Sequence, residues 1–177
     1  MKINKETRKR IEKIKLLVMD VDGVLTPGHI FISSSGKEVK VFDVQDGFGI
    51  MLWHRARLKS AIITAGKSLA LIHRAECLKV DKVYQHAKDK LVAYNKLKKL
   101  FNISDDQICF IGDDLIDIPV LKRVGFPCAV ANGHNDMKDY ASYISKTPGG
   151  KGAVREIIDL ILKAKGLWSE VTKDYVR

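Results

Sequence analysis

Asp20 and Asp22 stand one residue apart at the end of the apolar run KLLVMDV, and Asp113 and Asp114 stand side by side at the end of another, QICFIGD. A third β-rich run, SAIIT, ends in Thr64, and Lys90 opens a segment of helical spacing. Carboxylates gathered at one low-dielectric rim repel each other strongly unless something positive meets them. A hard divalent cation does so, and a donor set made only of oxygens selects Mg²⁺. A calcium loop of the EF-hand kind is excluded: the twelfth position counted from Asp20 is Phe31, where a bidentate Glu is needed.

These residues can meet only if their strands lie side by side with their carboxyl ends along one edge, where an open α/β sheet binds its ligands. The sequence fits that requirement. Short β-rich runs alternate with segments of helical period, the pattern of a parallel sheet covered by helices. The fold class is α/β, a Rossmann-like three-layer sandwich with a parallel central sheet. Strands are expected at 15–21, 60–64, 82–85, 107–113, 127–131 and 142–145, and helices at 48–58, 67–79, 88–101, 115–124, 135–141 and 151–165. Ser104 and Gln107 have capping-box spacing, but the apolar run that follows makes them a turn into a strand. One stretch breaks the alternation: in HIFISSSGKEVKVFDV (29–44), two β-rich arms flank Ser34-Ser35-Gly36-Lys37, which reads as a β-hairpin flap over the strand ends.

At 177 residues, 46% of them hydrophobic, the chain is expected to form one domain, residues 1–177, with a basic segment at 1–14 and a C-terminal tail at 167–177. No window of about 18 apolar residues marks a membrane span, and the charged N-terminus runs into the first strand without a signal-peptide core, so a soluble, cytoplasmic protein is expected. Cys77, Cys109 and Cys128 form no CxxC pair and read as buried, reduced thiols. The formal charge is +10, but residues 1–15 alone hold seven Lys or Arg against two Glu. That segment reads as a solvated basic helix, and no basic stripe interleaved with aromatics points to nucleic acid.

Taken together and in order, DVDGVLT (Asp20 to Thr26), Thr64, Lys90 and GDDLID (Gly112 to Asp117) resemble the four motifs of the haloacid dehalogenase superfamily of phosphatases. The likeness takes in nearly all of the chain from Lys15 to Gly166. It implies that Asp20 attacks phosphorus and carries an aspartyl-phosphate, while Asp22 protonates the leaving alcohol and later deprotonates water. It implies a Mg²⁺ site made of Asp20, Asp113 and the main-chain carbonyl of Asp22. Thr64 and Lys90 would hold the phosphate, and Asp114 and Asp117 would orient waters and neighbouring groups.

About forty residues separate Gly23 from Thr64, already used by the flap and one helix, and Lys90 to Asp113 is equally full, so no folded cap domain fits. This uncapped layout is similar to that of the 3-deoxy-D-manno-octulosonate 8-phosphate phosphatases. The hairpin, KVFDVQDGFGI (40–50), GDDLIDIPVL (112–121) and TPGGKGAVREIIDLILKAKG (147–166) carry the resemblance. It implies a sugar-acid phosphate substrate, and a homotetramer whose flaps and tails complete adjacent sites. It also implies a substrate pocket lined by Asp22, Asp43, Val44, Gln45, Asp46, Gly47, Arg74 and Lys90. Arg74 can pair with the carboxylate of such a sugar acid. Two positions depart from the family pattern: Gln45 and Ala65-Gly66 stand where Arg and Gly-Arg are common. A nonulosonate 9-phosphate phosphatase and a silent tetramerisation module are the alternatives. Trp168 and Tyr175, in the tail, are expected to dock on a neighbouring subunit. No nucleic-acid or membrane partner is expected.

Overall fold

The structure is a computed structural model, which describes residues 4–176. Residues 1–3 and 177, at the outer ends of the basic segment and the tail, lie outside the described residues. The basic segment forms α1 (Lys5–Glu12), capped by the Asn4 side chain on the N–H of Thr7 at 2.8 Å. The first apolar run becomes β1 (Leu16–Met19), and the hairpin follows as β2 (Phe31–Ile32) and β3 (Glu38–Val39), paired antiparallel. Then come α2 (Val44–Arg55), β4 (Lys59–Ile63), α3 (Leu69–Cys77), β5 (Lys82–Tyr84) and α4 (Lys90–Phe101). The chain continues through β6 (Ile108–Gly112), α5 (Ile118–Leu121), β7 (Phe126–Ala129), β8 (Tyr143–Ile144), α6 (Ala153–Ala164) and α7 (Trp168–Thr172).

Six strands form one sheet in the order β5-β4-β1-β6-β7-β8, and every pairing is parallel. β1 is buried on both faces, which explains its unbroken apolar sequence. Successive side chains still divide between two cores: Leu17 and Met19 join one with α2 and α6, whereas Leu16 and Val18 join the other with α4 and α5. On α6, Val154, Ile157, Ile158 and Ile161 form the buried face that the sequence pattern implies. After β5 the chain returns to the far side of β1 to form β6. The crevice at this reversal of strand order therefore opens above the carboxyl ends of β4, β1 and β6.

Several expectations need correction. α2 starts at Val44, four residues before the expected 48, because the Asp43 carboxylate accepts the N–H groups of Gln45 and Asp46 at 2.6 and 3.3 Å and nucleates the first turn. The helix expected at 115–124 is a 3₁₀ turn (Leu115–Asp117) running into the short α5, and that at 135–141 is a 3₁₀ turn over Asn135–Asp139. A 3₁₀ turn at Asp105–Gln107 precedes β6, with the Ser104 N–H donating to Gln107 Oε1 at 3.2 Å. Cys77, at the end of α3, is exposed; Cys109 and Cys128 are buried on neighbouring strands with their sulfurs 3.8 Å apart. The tail turns back on its own chain: Trp168 packs against the core, and Tyr175 lies edge-on to Phe48 and under Arg55. Among the described residues, no helix is long and apolar enough to cross a membrane.

Candidate active site

Asp20 is the first residue after β1, and its N–H extends the ladder to Ile111 O at 3.0 Å. The chain then folds tightly: the N–H groups of Val24, Leu25 and Thr26 all converge on Val21 O, at 3.2, 2.9 and 3.0 Å. This turn needs glycine at position 23. Its φ is +93°, and a Cβ there would lie 2.0 Å from Asp113 Oδ2. The DxDG spacing thus lets the β1 turn and the β6 carboxylate share one small volume. The glycines of residues 149–152 close the turn from behind. A Cβ on Gly149 would lie 1.7 Å from Gly23 O, and the Gly150 N–H donates to Val24 O at 2.8 Å.

Asp113 follows β6 directly, and its Oδ1 is buried without a hydrogen-bond partner. One oxygen each from Asp20, Asp113 and Asp117 lie within 4.8 Å of one another. Lys90, the first residue of α4, is buried among them, its Nζ 3.0 Å from Asp20 Oδ1 and 2.5 Å from Asp117 Oδ1. Asp117 is also fully committed on its other oxygen, which accepts the N–H groups of Asp113 and Asp114 at 3.0 and 3.3 Å. Gly112 makes room for it, since a Cβ there would lie 2.6 Å from the Asp117 side chain.

The electrostatics of the cluster are those of too many anions for one cation. Burial pushes Asp113 up to about 8, and the charges of Asp20 and Asp117 add to the shift. Burial likewise raises Asp20 to about 6, against the pull of Lys90. Lys90 itself loses by burial, but Asp20 and then Asp117 more than offset this and hold it above its ordinary value. An orphaned carboxylate oxygen beside a second raised carboxylate is a donor set whose chemistry suits a hard cation. Asp20 and Asp113 fit Mg²⁺ as donors.

Thr64 is the first residue after β4. Its Oγ1 accepts the Gly66 N–H at 3.2 Å, and a Cβ on Gly66 would lie 3.5 Å from Asp22 Oδ2, so the Thr64–Gly66 turn faces Asp22. Asp43 and Arg74 meet to one side, where Arg74 Nη2 donates to Asp43 O at 3.2 Å. Gly47 permits this contact, since a Cβ there would lie 2.2 Å from the same Nη2. Val44 is exposed, and Gln45 lies beside the Gly152 turn.

Asp114 and Asp46 both spend their carboxylates on backbone N–H groups, and Asp46 lines one cavity with Asp43, Gly47 and Arg74. Asp114 spends its carboxylate on the Leu115 N–H at 2.7 Å. Asp46 is buried beneath α6, accepting the N–H groups of Arg155 and Gly152 at 2.8 and 3.3 Å, with burial pushing it up to about 6. Sequence reasoning also missed a residue. Lys40, just past the hairpin, reaches Asp22 Oδ1 at 2.5 Å and Glu38 Oε1 at 2.6 Å. The available signal was the spacing of Glu38 and Lys40, two apart on an extended arm and therefore on one face.

Comparison with known proteins agrees with this geometry. A family model described as haloacid dehalogenase-like hydrolase matches residues 71–158. The 3-deoxy-D-manno-octulosonate 8-phosphate phosphatase KdsC of Yersinia pestis is 43% identical over 156 residues, covering 88% of this chain and 83% of that protein. The crystal structure of the corresponding phosphatase from Moraxella catarrhalis, in complex with a magnesium ion, a phosphate ion and KDO, superposes with a TM-score of 0.94 at 36% identity, covering 98% of this chain and 99% of that one. A cobalt-bound form of the Haemophilus influenzae phosphatase superposes with a TM-score of 0.86 at 34% identity, covering 89% of this chain and 92% of that one.

Proposed function

This chain belongs to the haloacid dehalogenase-like hydrolases, among the 3-deoxy-D-manno-octulosonate 8-phosphate phosphatases, and we propose that it hydrolyses that sugar-acid phosphate through an aspartyl-phosphate on Asp20. The observation that carries the reading is the buried cluster of Asp20, Lys90, Asp113 and Asp117 at the ends of adjacent strands. Asp20, Asp113 and the main-chain carbonyl of Asp22 would hold Mg²⁺, which when bound would supply positive charge against the carboxylates and the phosphoryl oxygens.

In the first half-reaction an Asp20 oxygen attacks phosphorus, the bond from phosphorus to the sugar oxygen breaks, and Asp22 gives its proton to that oxygen to release the alcohol. In the second, Asp22 takes a proton from water as the water oxygen attacks phosphorus. The bond from phosphorus to Asp20 breaks, and inorganic phosphate leaves. Lys90 and the Thr64 hydroxyl hold the phosphoryl oxygens, and Asp117 keeps Lys90 in place. Asp43, Val44, Gln45, Asp46, Gly47 and Arg74 form the side on which the sugar acid would lie, with Arg74 available to its carboxylate. Gln45, a neutral residue in that lining, favours a second reading in which the sugar acid is a nonulosonate 9-phosphate.

We further propose a homotetramer. Ile30, Phe31, Ile32, Val39 and Val41 on and beside the hairpin are all at least half exposed, a patch that a neighbouring subunit would cover. Phosphate release from a panel of sugar-acid phosphates, with and without chelator and beside a sizing measurement, tests the function. Activity that survives both chelation and Asp20→Asn contradicts it.

A further inference from the structure

Lys40 behaves unlike its neighbours. Val39 and Val41 are each 53% exposed, yet the Lys40 side chain is only 8% exposed. It leaves the hairpin, turns down to the rim, and ends between two carboxylates, 2.5 Å from Asp22 Oδ1 and 2.6 Å from Glu38 Oε1. Glu38, two residues earlier on the same face of the arm, holds the ammonium from the flap side. On the other side of Asp22, Oδ2 faces the Thr64–Gly66 turn, where it would sit 3.5 Å from a Gly66 Cβ. The two oxygens of Asp22 therefore have different surroundings: one is fixed to the flap and the other faces the place where the phosphate would lie.

We propose that Lys40 is a positioning residue for Asp22, holding Oδ1 so that Oδ2 is presented to the leaving oxygen, and that the seating of the hairpin thereby orients the proton donor. The inference rests on the reading of Asp22 as the group that protonates the leaving alcohol. Nearly 40% of the Asp22 side chain is exposed, so its own packing leaves the carboxylate free to rotate. A cation on one oxygen removes that freedom, and orientation within a fraction of an ångström is what proton transfer to a departing alkoxide requires. The role differs from that of Lys90, which is buried in the cluster and faces Asp20.

The two roles separate by leaving group. A strongly basic alkoxide needs its proton as the bond to phosphorus breaks, whereas 4-nitrophenolate departs without one. The ratio of kcat/KM on an alkyl phosphate to kcat/KM on 4-nitrophenyl phosphate reports this need. It stops at phosphoryl transfer to Asp20, and the fraction of folded enzyme cancels from it. In the full-length protein with Mg²⁺, Lys40→Met should lower the ratio about tenfold or more relative to wild type. Lys40→Arg should keep it within about threefold, and Glu38→Gln should give an intermediate loss. A Lys40→Met ratio equal to wild type overturns the proposal, whether both esters slow together, as for a lysine that binds phosphate directly, or neither slows. The alkyl ester is the sugar-acid phosphate itself, and failure of the wild type to hydrolyse any sugar-acid phosphate is a different result: it overturns the phosphatase reading, and the positioning role with it.

Discussion

At the rim, each group is held from more than one side: Lys90 by Asp20 and Asp117, Asp117 by Lys90 and two backbone N–H groups, and Gly23 by the Asp113 carboxylate and the Gly149–Gly150 backbone. The hairpin is the opposite. Its two strands are two residues each, its apolar side chains face outward, and Lys40 ties it to the rim through Asp22. The rim stands on central parallel strands and cannot shift without disturbing the core, whereas the flap can move at little cost. The comparison teaches a division of labour: nucleophile and cation site belong to the rigid part, and orientation of the proton donor belongs to the adjustable part.

If that division is right, damage at the rim should be severe and damage at the flap selective. The largest effect is expected from Asp20→Asn, which removes the nucleophile and should bring phosphate release down to background in a steady-state assay. Gly23→Ala comes next. A Cβ 2.0 Å from Asp113 Oδ2, at a φ of +93°, must displace that carboxylate. Activity should fall by about a hundredfold, and a Mg²⁺ titration should show weakened affinity. Asp117→Asn removes the better of the two partners of a buried lysine. It should cost about 3 kcal/mol in urea unfolding, a loss that the same substitution at Asp114, an exposed cap that accepts only backbone N–H groups of its own turn, should not reproduce.

A smaller effect follows from the raised carboxylates. Without metal, Asp20 and Asp113 are pushed to about 6 and about 8 from an ordinary 3.8, so the folded chain binds their protons more tightly than the unfolded chain does. Their contribution to stability is therefore fully present below the ordinary value and is lost as pH rises through the two raised values. Mg²⁺ takes over from the protons, so the rise in Tm on adding it should be larger at about pH 8.5 than at about pH 5. An equal rise at both would place the ion elsewhere. The smallest effect belongs to the flap. Lys40→Met should change unfolding free energy by less than about 1 kcal/mol, because its partners are partly solvated, even though it changes the choice of ester.

The same contrast explains what could be read from the amino-acid order. The rim was legible because apolar strands announce themselves, and because Asp20, Thr64 and Asp113 each come immediately after one. Parallel pairing then fixes which ends meet. The glycine pair at 149–150 has no local reason in the sequence, since what requires it is a backbone more than a hundred residues earlier. Asp46 does line the cavity with Asp43 and Arg74, but what holds its carboxylate is hidden for a related reason. That carboxylate is spent on the first turn of α6, a contact that no local pattern encodes. Helix onset at Val44 turned on the Asp43 cap, a single hydrogen-bonding side chain that a count of apolar period overlooks. Lys40 is, by sequence, one charge on a β-rich arm, and only the curl of the hairpin over the strand ends gives it Asp22 as a partner.

The most direct test of the central claim is to quench the enzyme with acid during turnover of its sugar-acid phosphate and map the phosphorylated peptide by mass spectrometry. The account predicts a phosphoryl group on the peptide that contains Asp20, absent when the substrate is withheld and absent in the Asn variant. Full-rate phosphate release with that peptide unmodified, or with the label on another residue, would contradict it.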